Sequence, residues 1–491
     1  MPRKKKIQSD IIFKQLTLRL MQAGPTPTKE LLEGLPISQP AFSKLINKHA
    51  DQVLTIGRGR HTRYALRRTI EGVITNYQQA LPLFQVQQNG ALVEIGKLHP
   101  TYPKGFYIES ASPASRTGAY FDDLPYFFED LRPAGFLGRL VPKQCPEGLF
   151  PTDILQWSQD QTVVYFAKYG WDLPGDLILG SEAAEKYLQS IADPLEAIPV
   201  AGRAAAYTQL ARAILEQGTA GSSAAGEQPK FLSKKTDGVN TQAVLVKFSP
   251  SMNLRAPGSA TVTETLDRHA QRLSDLLVCE HLALQVMAQH GQSAARSEII
   301  TTSERTFLEV ERFDRIFNCN ANNTGVMGRR GVLSLKALDL ELVGKLENWA
   351  VVARELLHQG VITAATYNDI EWLYLFGKNI ANSDMHLGNL SFYSSEAGQL
   401  RTPLTLAPIY DMLPMAYAPI QGQIVARTFT PARPQPGNLK NWASAVSAAI
   451  IFWNRVATNP MISNGFQQIA TANRNELTRL QDLWPADFVK S

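Results

Sequence analysis

The residues of this chain best placed to do chemistry lie in Asn382-Ser383-Asp384-Met385-His386-Leu387-Gly388-Asn389. An aspartate followed five positions later by an asparagine on one loop can share a phosphoryl transfer. The Asp384 carboxylate reaches a substrate hydroxyl as base, and the Asn389 amide oxygen, one loop turn on, holds Mg²⁺. A second acid follows in Pro408-Ile409-Tyr410-Asp411, where it can supply the other metal ligand. Mg²⁺ favours few carboxylates, with phosphate oxygens and water completing its shell, and Asp411 with Asn389 leaves room for both. His386 sits between the two loop residues, although a lone histidine is more often structural than catalytic. The same side chains could instead be metal ligands and base of a Mg²⁺-dependent DNA nuclease.

Upstream features favour phosphoryl transfer. Lys247 closes an apolar strand, Val244-Leu245-Val246-Lys247-Phe248, in the manner of the V-A-I-K lysine that holds α- and β-phosphates. Its bland reading is a snorkelling strand-end lysine. Glu280, on the next long helix, is its natural ion-pair partner. The run Ser222-Ser223-Ala224-Ala225-Gly226-Glu227-Gln228-Pro229-Lys230 could cradle phosphates with backbone N–H groups. It matches neither a Walker A nor a G-x-G-x-x-G pattern, and composition alone reads it as a flexible loop.

These residues need elements to hold them. Ile370, Leu373, Tyr374 and Ile380 recur at helical spacing, so the Asp384 loop follows a buried helix. Strands are expected over 230–235 and 244–248, joined across Thr236-Asp237-Gly238. Helical patterns run over 263–287 and dominate after Leu335. The class is α+β, with a small sheet-rich lobe at about 206–315 and a larger, mainly helical lobe at about 330–491, as protein kinases are organised. The region 73–205 reads as short strands and turns, with 94–98 and 105–108 as strands and 126–133 as an aromatic helix end. It carries no catalytic constellation.

The head, 1–72, reads as a winged helix-turn-helix. Ile11, Ile12, Leu16, Leu18, Leu20 and Met21 form an apolar helical stretch stopped by Gly24-Pro25. Thr28 is expected to cap a short helix, and Ser38 a third one with Phe42, Leu45 and Ile46 inward. Gln39, Ser43, Lys44, Asn47 and Lys48 then face outward, residue types suited to base edges and phosphates. A hairpin tip of glycine and cations follows, with Arg58, Arg60 and Arg63 as candidate phosphate contacts. A solvated basic surface on a small protein-binding domain is the bland alternative. Residues 1–68 hold 14 Lys and Arg against four acids, a local +10 in a chain of net +5, so the remainder carries −5. That asymmetry points to double-stranded DNA as partner of the head alone. Palindromic DNA readers are usually dimers, which leaves a homodimer as an open expectation.

The longest apolar run, 442–453, is too short to span a bilayer, which needs about 20 residues. The basic opening is followed by Gln8, Ser9 and Asp10, unlike a signal peptide. Three scattered cysteines exclude a disulfide framework and fit a cytoplasmic protein, nucleoid-associated when bound to DNA. A third functional reading is a nucleotide-sensing transcription regulator without turnover.

Several segments in order resemble the HipA family of toxin kinases over about residues 90–440. They are Phe127-Phe128-Glu129-Asp130-Leu131-Arg132-Pro133, Ala225-Gly226-Glu227-Gln228-Pro229-Lys230, Val246-Lys247-Phe248, Val310-Glu311-Arg312-Phe313-Asp314-Arg315, Asn382 to Asn389, and Tyr410-Asp411. The resemblance implies a β-rich HipA N-terminal subdomain at 73–205 and a kinase domain at 206–491. With its fused head, the architecture resembles YjjJ-type HipA homologues. It further implies ATP and Mg²⁺ as cofactors, Asp384 as base, Asn389 and Asp411 as metal ligands, and Lys247 on the phosphates. Glu311 and Phe313 would offer backbone contacts to adenine, with Asp314 near the ribose and Ala225 and Gly226 in the phosphate loop. Ser223, with Ser222 beside it, falls at the family's autophosphorylation position, whose modification inactivates the kinase. The implied substrate is a translation protein such as an aminoacyl-tRNA synthetase. Pro229 departs from relatives that carry an acid there, which stiffens the turn.

Overall fold

The computed structural model describes the chain apart from residues 1, 112–117, 193–195, 219–227, 253–259, 320–324, 395–402 and 485–491. The chain forms two compact units, one of residues 1–132 with 155–194, the other of 133–154 with 195–491. The first two expected regions thus lie mostly in one unit, and the boundary expected at 205 falls inside the helix Arg203–Gly218.

The first unit begins with the helix Pro2–Ala23, then Thr26–Pro27, the helices Thr28–Leu32 and Gln39–Lys48, and the strands Val53–Ile56 and Arg63–Leu66. Arg63–Leu66 is the middle strand of a three-stranded sheet, flanked by Thr26–Pro27 and Val53–Ile56. Among the described residues of the first helix, Ile12, Leu16 and Leu20 are buried, one residue per turn, while Ile11, Leu18 and Met21 are exposed. Thr28 is not a cap: it is the first helical residue, preceded by Pro27, because Thr26–Pro27 is paired as a strand. Ser38 occupies the cap position of Gln39–Lys48 without a side-chain hydrogen bond, and Phe42, Leu45 and Ile46 are buried as expected.

The remainder of this unit is a five-stranded antiparallel sheet, in the order Ala119–Phe121, Phe106–Ser110, Leu92–Pro100, Leu81–Val86, Leu177–Leu179, accompanied by the helices Gln159–Tyr169 and Ser181–Ala192. The hairpin strands do not stand free of it. Leu54, Ile56 and Ala65 pack with Tyr107 and Tyr120 of the larger sheet. Arg68, buried, donates to Asp160 at 2.6 Å and lies over the Phe106 ring.

The second unit is built on a sheet in the order Ser297–Thr301, Thr306–Glu311, Thr241–Phe248, Lys230–Thr236, Ile198–Pro199. Alternation along Thr241–Phe248 sends Val244, Val246 and Phe248 to one face, where they pack with Tyr207 and Ala211 of Arg203–Gly218. The opposite face carries Leu308 and Val310 against Leu277 of the long helix Ala260–Gln289. A mainly helical part follows, with Trp349–His358, Ala364–Asn379, Leu439–Thr458 and Asn464–Asp482. Among the described residues, no helix is long and apolar enough to cross a membrane.

Candidate active site

Lys247 is paired in register with Leu308, so its side chain shares the face that the long helix covers. Glu280 lies three residues beyond Leu277 on that helix, one turn along the same stripe. The two meet as expected: Lys247 Nζ is 2.7 Å from both Glu280 carboxylate oxygens, and Lys247 and Glu280 are buried. Lys247 also donates to Asp411 Oδ1 at 2.6 Å, and the Asp411 backbone N–H donates to Glu280 Oε1 at 3.2 Å. Asp411 thus joins the pair, with φ of +57°, a left-handed geometry that aspartate tolerates better than most side chains.

These charges set each other. Burial raises the Asp411 carboxyl, but the Lys247 and Lys230 ammoniums outweigh it and hold it at about 2. Burial disfavours the Lys247 ammonium, yet Asp411 and Glu280 raise it above an ordinary lysine. Burial pushes the Glu280 carboxyl up, with Lys247 pulling against it.

The loop of Asp384 follows Ala364–Asn379, with Ala381 turning at φ of +60°. The Asn382 side chain accepts the Asp384 N–H at 3.1 Å. Asp384 is exposed, and among the described residues its carboxylate has no hydrogen-bond or ion-pair partner. Asn389 is buried and donates its amide N–H to the Asp384 carbonyl at 2.9 Å. That bond leaves the Asn389 amide oxygen as the group for a cation, so Asn389 and Asp411 fit an Mg²⁺ site completed by phosphate and water. His386 caps the short turn Leu387–Asn389, accepting the Gly388 N–H on Nδ1 at 3.1 Å. Among the described residues, no three of His, Cys, Asp or Glu form a metal-binding group.

Further side chains support these segments. The Tyr410 hydroxyl donates to the Gly388 carbonyl at 2.9 Å and lies 3.0 Å from Ser391 Oγ. The Trp349 indole donates to the His386 carbonyl at 3.0 Å. Gly377 lacks a side chain where Met385 and Met412 crowd the helix, so both reacting segments press on one bare turn. Glu309 is buried with Arg203, Lys235 and Tyr207, fixing the helix Arg203–Gly218 to the sheet. The signal available for Tyr410 was its place directly before Asp411.

At the expected adenine edge, the Glu311 N–H already donates to the Arg296 carbonyl at 2.9 Å, so only the Glu311 carbonyl is suited to adenine. The Phe313 ring stands 5.7 Å from that of Tyr410, linking this edge to the Asp384 loop. Asp314 is buried between Arg312, at 2.8 Å, and Arg315, at 2.6 Å. This carboxylate braces the turn after the strand. Ser222, Ser223, Ala225 and Gly226 lie outside the described residues.

In the first unit, Gln39, Ser43, Lys44, Asn47 and Lys48 are all exposed along Gln39–Lys48, and Arg58, Arg60 and Arg63 are exposed at the hairpin. Their only ion pair among the described residues is Lys48 with Asp10, at 3.9 Å and open to solvent on both sides.

Two family models match the chain: the middle domain of YjjJ-like toxins over residues 77–188, and the HipA-like C-terminal domain over residues 222–472. Toxin YjjJ of Escherichia coli (strain K12) is 33% identical over 471 residues, covering 95% of this chain and 98% of that protein. The chain belongs to the HipA-like toxin family, and within it to the YjjJ-like toxins. Among solved structures, HipA of Shewanella oneidensis MR-1, determined with HipB and operator DNA, matches at 14% identity and TM-score 0.46, covering 83% of this chain and 98% of HipA. The proinflammatory kinase CtkA of Helicobacter pylori matches at 13% identity and TM-score 0.33, covering 52% of this chain and 91% of CtkA.

Proposed function

We propose that this protein is an ATP- and Mg²⁺-dependent Ser/Thr protein kinase of the HipA toxin type, with a DNA-binding winged helix as its head. The observation that carries the kinase reading is the buried Lys247 ammonium held between Glu280 and Asp411. A strand lysine fixed by a helix glutamate is what a phosphate-binding cation needs, since the glutamate orients it and keeps it charged.

In this mechanism Asp384 accepts the proton of the attacking hydroxyl, and its exposed, uncommitted carboxylate suits that task. Asn389 and Asp411 would hold Mg²⁺, which would supply neutralisation of charge on the phosphate oxygens. Asp411 would serve the cation, and Lys247, fixed by Glu280, would serve the phosphates. His386 orients the loop through its turn rather than moving a proton. The Glu311 carbonyl and the Phe313 backbone receive adenine. Ser223 or Ser222 is the self-modified residue, and a dianion there repels the phosphates of ATP. The family resemblance points to a translation protein, such as an aminoacyl-tRNA synthetase, as acceptor.

The head reads double-stranded DNA with Gln39–Lys48 in the major groove and the hairpin on phosphates, supported by exposure of all eight candidate side chains. A two-fold operator would call for a homodimer.

Calorimetric titration with a non-hydrolysable ATP analogue tests the site. Binding should depend on Mg²⁺, and Asp411→Asn should remove that dependence. A wild-type protein with no affinity for the analogue would sink the kinase reading.

A further inference from the structure

Between Asp411 and Glu476 the chain contains no acidic residue, while it carries Arg427, Arg433, Lys440, Arg455 and Arg474. Arg455 and Arg474 are committed to neutral partners, Gln289 and Asn454 respectively. Arg427, Arg433 and Lys440 are exposed, and among the described residues none has a hydrogen-bond or ion-pair partner. They sit on or beside an irregular strap that leaves the Asp411 segment and reaches the helix Leu439–Thr458. Both ends of the strap are tied to the base of the Asp384 loop. The Ala416 N–H donates to the Ala381 carbonyl at 3.0 Å, and the Ala432 N–H donates to Asn379 Oδ1 at 3.0 Å. The Ala432 carbonyl accepts the Trp442 indole at 2.7 Å, and the Phe429 ring meets that of Trp453 edge-on. Between these anchors, Ile420, Ile424 and Val425 are exposed.

From this geometry we propose that the strap is the docking surface for the protein substrate, and that it selects a hydroxyl-bearing segment rich in Asp and Glu. The inference rests on the kinase reading for its purpose, but not for its binding chemistry. Three free cations with no acid among them give an attractive field that only an anionic partner complements. The aliphatic side chains interleaved with them suit a peptide. Nucleic-acid grooves instead offer aromatic faces on which bases stack, and the strap's Phe429 is spent on Trp453. Anchorage at Ala381 and Asn379 sets a docked segment beside the carboxylate that must reach its hydroxyl.

The test measures fluorescence anisotropy of the full chain with two labelled peptides and no ATP. Each carries a central serine, one flanked by Glu and Asp, the other by Lys and Gln. The acidic peptide should bind at least about tenfold tighter, and the preference should fade with salt. The variant Arg427→Glu/Arg433→Glu/Lys440→Glu should lose that preference at an unchanged thermal midpoint, and Arg427→Ala alone should weaken it. Equal affinity for both peptides, or a preference untouched by charge reversal, overturns the proposal. Displacement of the acidic peptide by a single-stranded RNA that binds more tightly through the same three residues overturns it in favour of nucleic acid. Acidic selectivity in a protein that binds no nucleotide would refute the kinase reading and leave the strap standing; nucleotide binding without selectivity would do the reverse.

Discussion

At the scale of single residues, Lys247 and Asp384 separate stability from catalysis. Lys247→Met leaves Glu280 buried without a counter-charge, a change that typically destabilises by about 3–5 kcal/mol. Adding Glu280→Leu should recover most of that in chemical denaturation while nucleotide affinity stays lost. Asp384 is exposed and has no partner among the described residues, so Asp384→Asn should leave the unfolding midpoint within about 0.5 kcal/mol of wild type. Its kcat should fall by about 10²–10⁴ if it is the base. A stable Asp384→Asn with full turnover would remove the base role. These residues were legible in sequence because their chemistry depends on identity and spacing along one loop or strand. Trp349 was not, since an indole hydrogen bond is defined by what the fold brings opposite it. Glu309 escaped for the same reason: nothing in Phe307-Leu308-Glu309-Val310 announces that Arg203, about a hundred residues earlier, will bury it.

At the scale of elements, the hairpin at the head joins an exposed basic tip to buried strands. Its tip is exposed cation, and Ala substitution of Arg58, Arg60 or Arg63 should each reduce the salt slope of duplex binding by about one unit where the residue touches phosphate. Its strands bury Leu54, Ile56 and Ala65 against Tyr107, so Tyr107→Ala should lower the thermal midpoint by the equivalent of about 3 kcal/mol. The junction is also pH-sensitive. Arg67 can only donate, so its 2.7 Å contact makes His99 Nδ1 an acceptor and leaves Nε2–H for Glu109, at 2.8 Å. Burial lowers the His99 pKa, Glu109 pulls it back, and Arg67 and Lys97 lower it further. The folded state therefore holds neutral imidazole, and its contribution is present above 6.5 and lost as pH falls through the depressed value. The thermal midpoint should drop as pH falls below 6.5, less so in His99→Gln. Helix order and inward residues of the head were legible from periodicity. The pairing of Thr26–Pro27 was not, because two residues carry no period and Thr28 has the chemistry of a cap.

At the scale of the molecule, the chain is less sequential than its motifs. It leaves the first unit after Arg132, contributes the helix Gly135–Gln144 to the second, and returns at Leu155. The aromatic run over 126–133 reads as one region, so nothing local marked that exit. The lysine strand, the glutamate helix, the Asp384 loop and Asp411 nonetheless fall in expected order within one unit. Order along the chain reports connectivity, and connectivity is what a family preserves while boundaries drift. Incubation with γ-labelled ATP and Mg²⁺, followed by mapping of labelled residues, tests phosphoryl transfer. Label is expected on Ser222 or Ser223 in wild type and on neither in Asp384→Asn. Equal label in both proteins would contradict the assigned base. Absence of label in a wild-type protein isolated unphosphorylated would contradict the kinase itself.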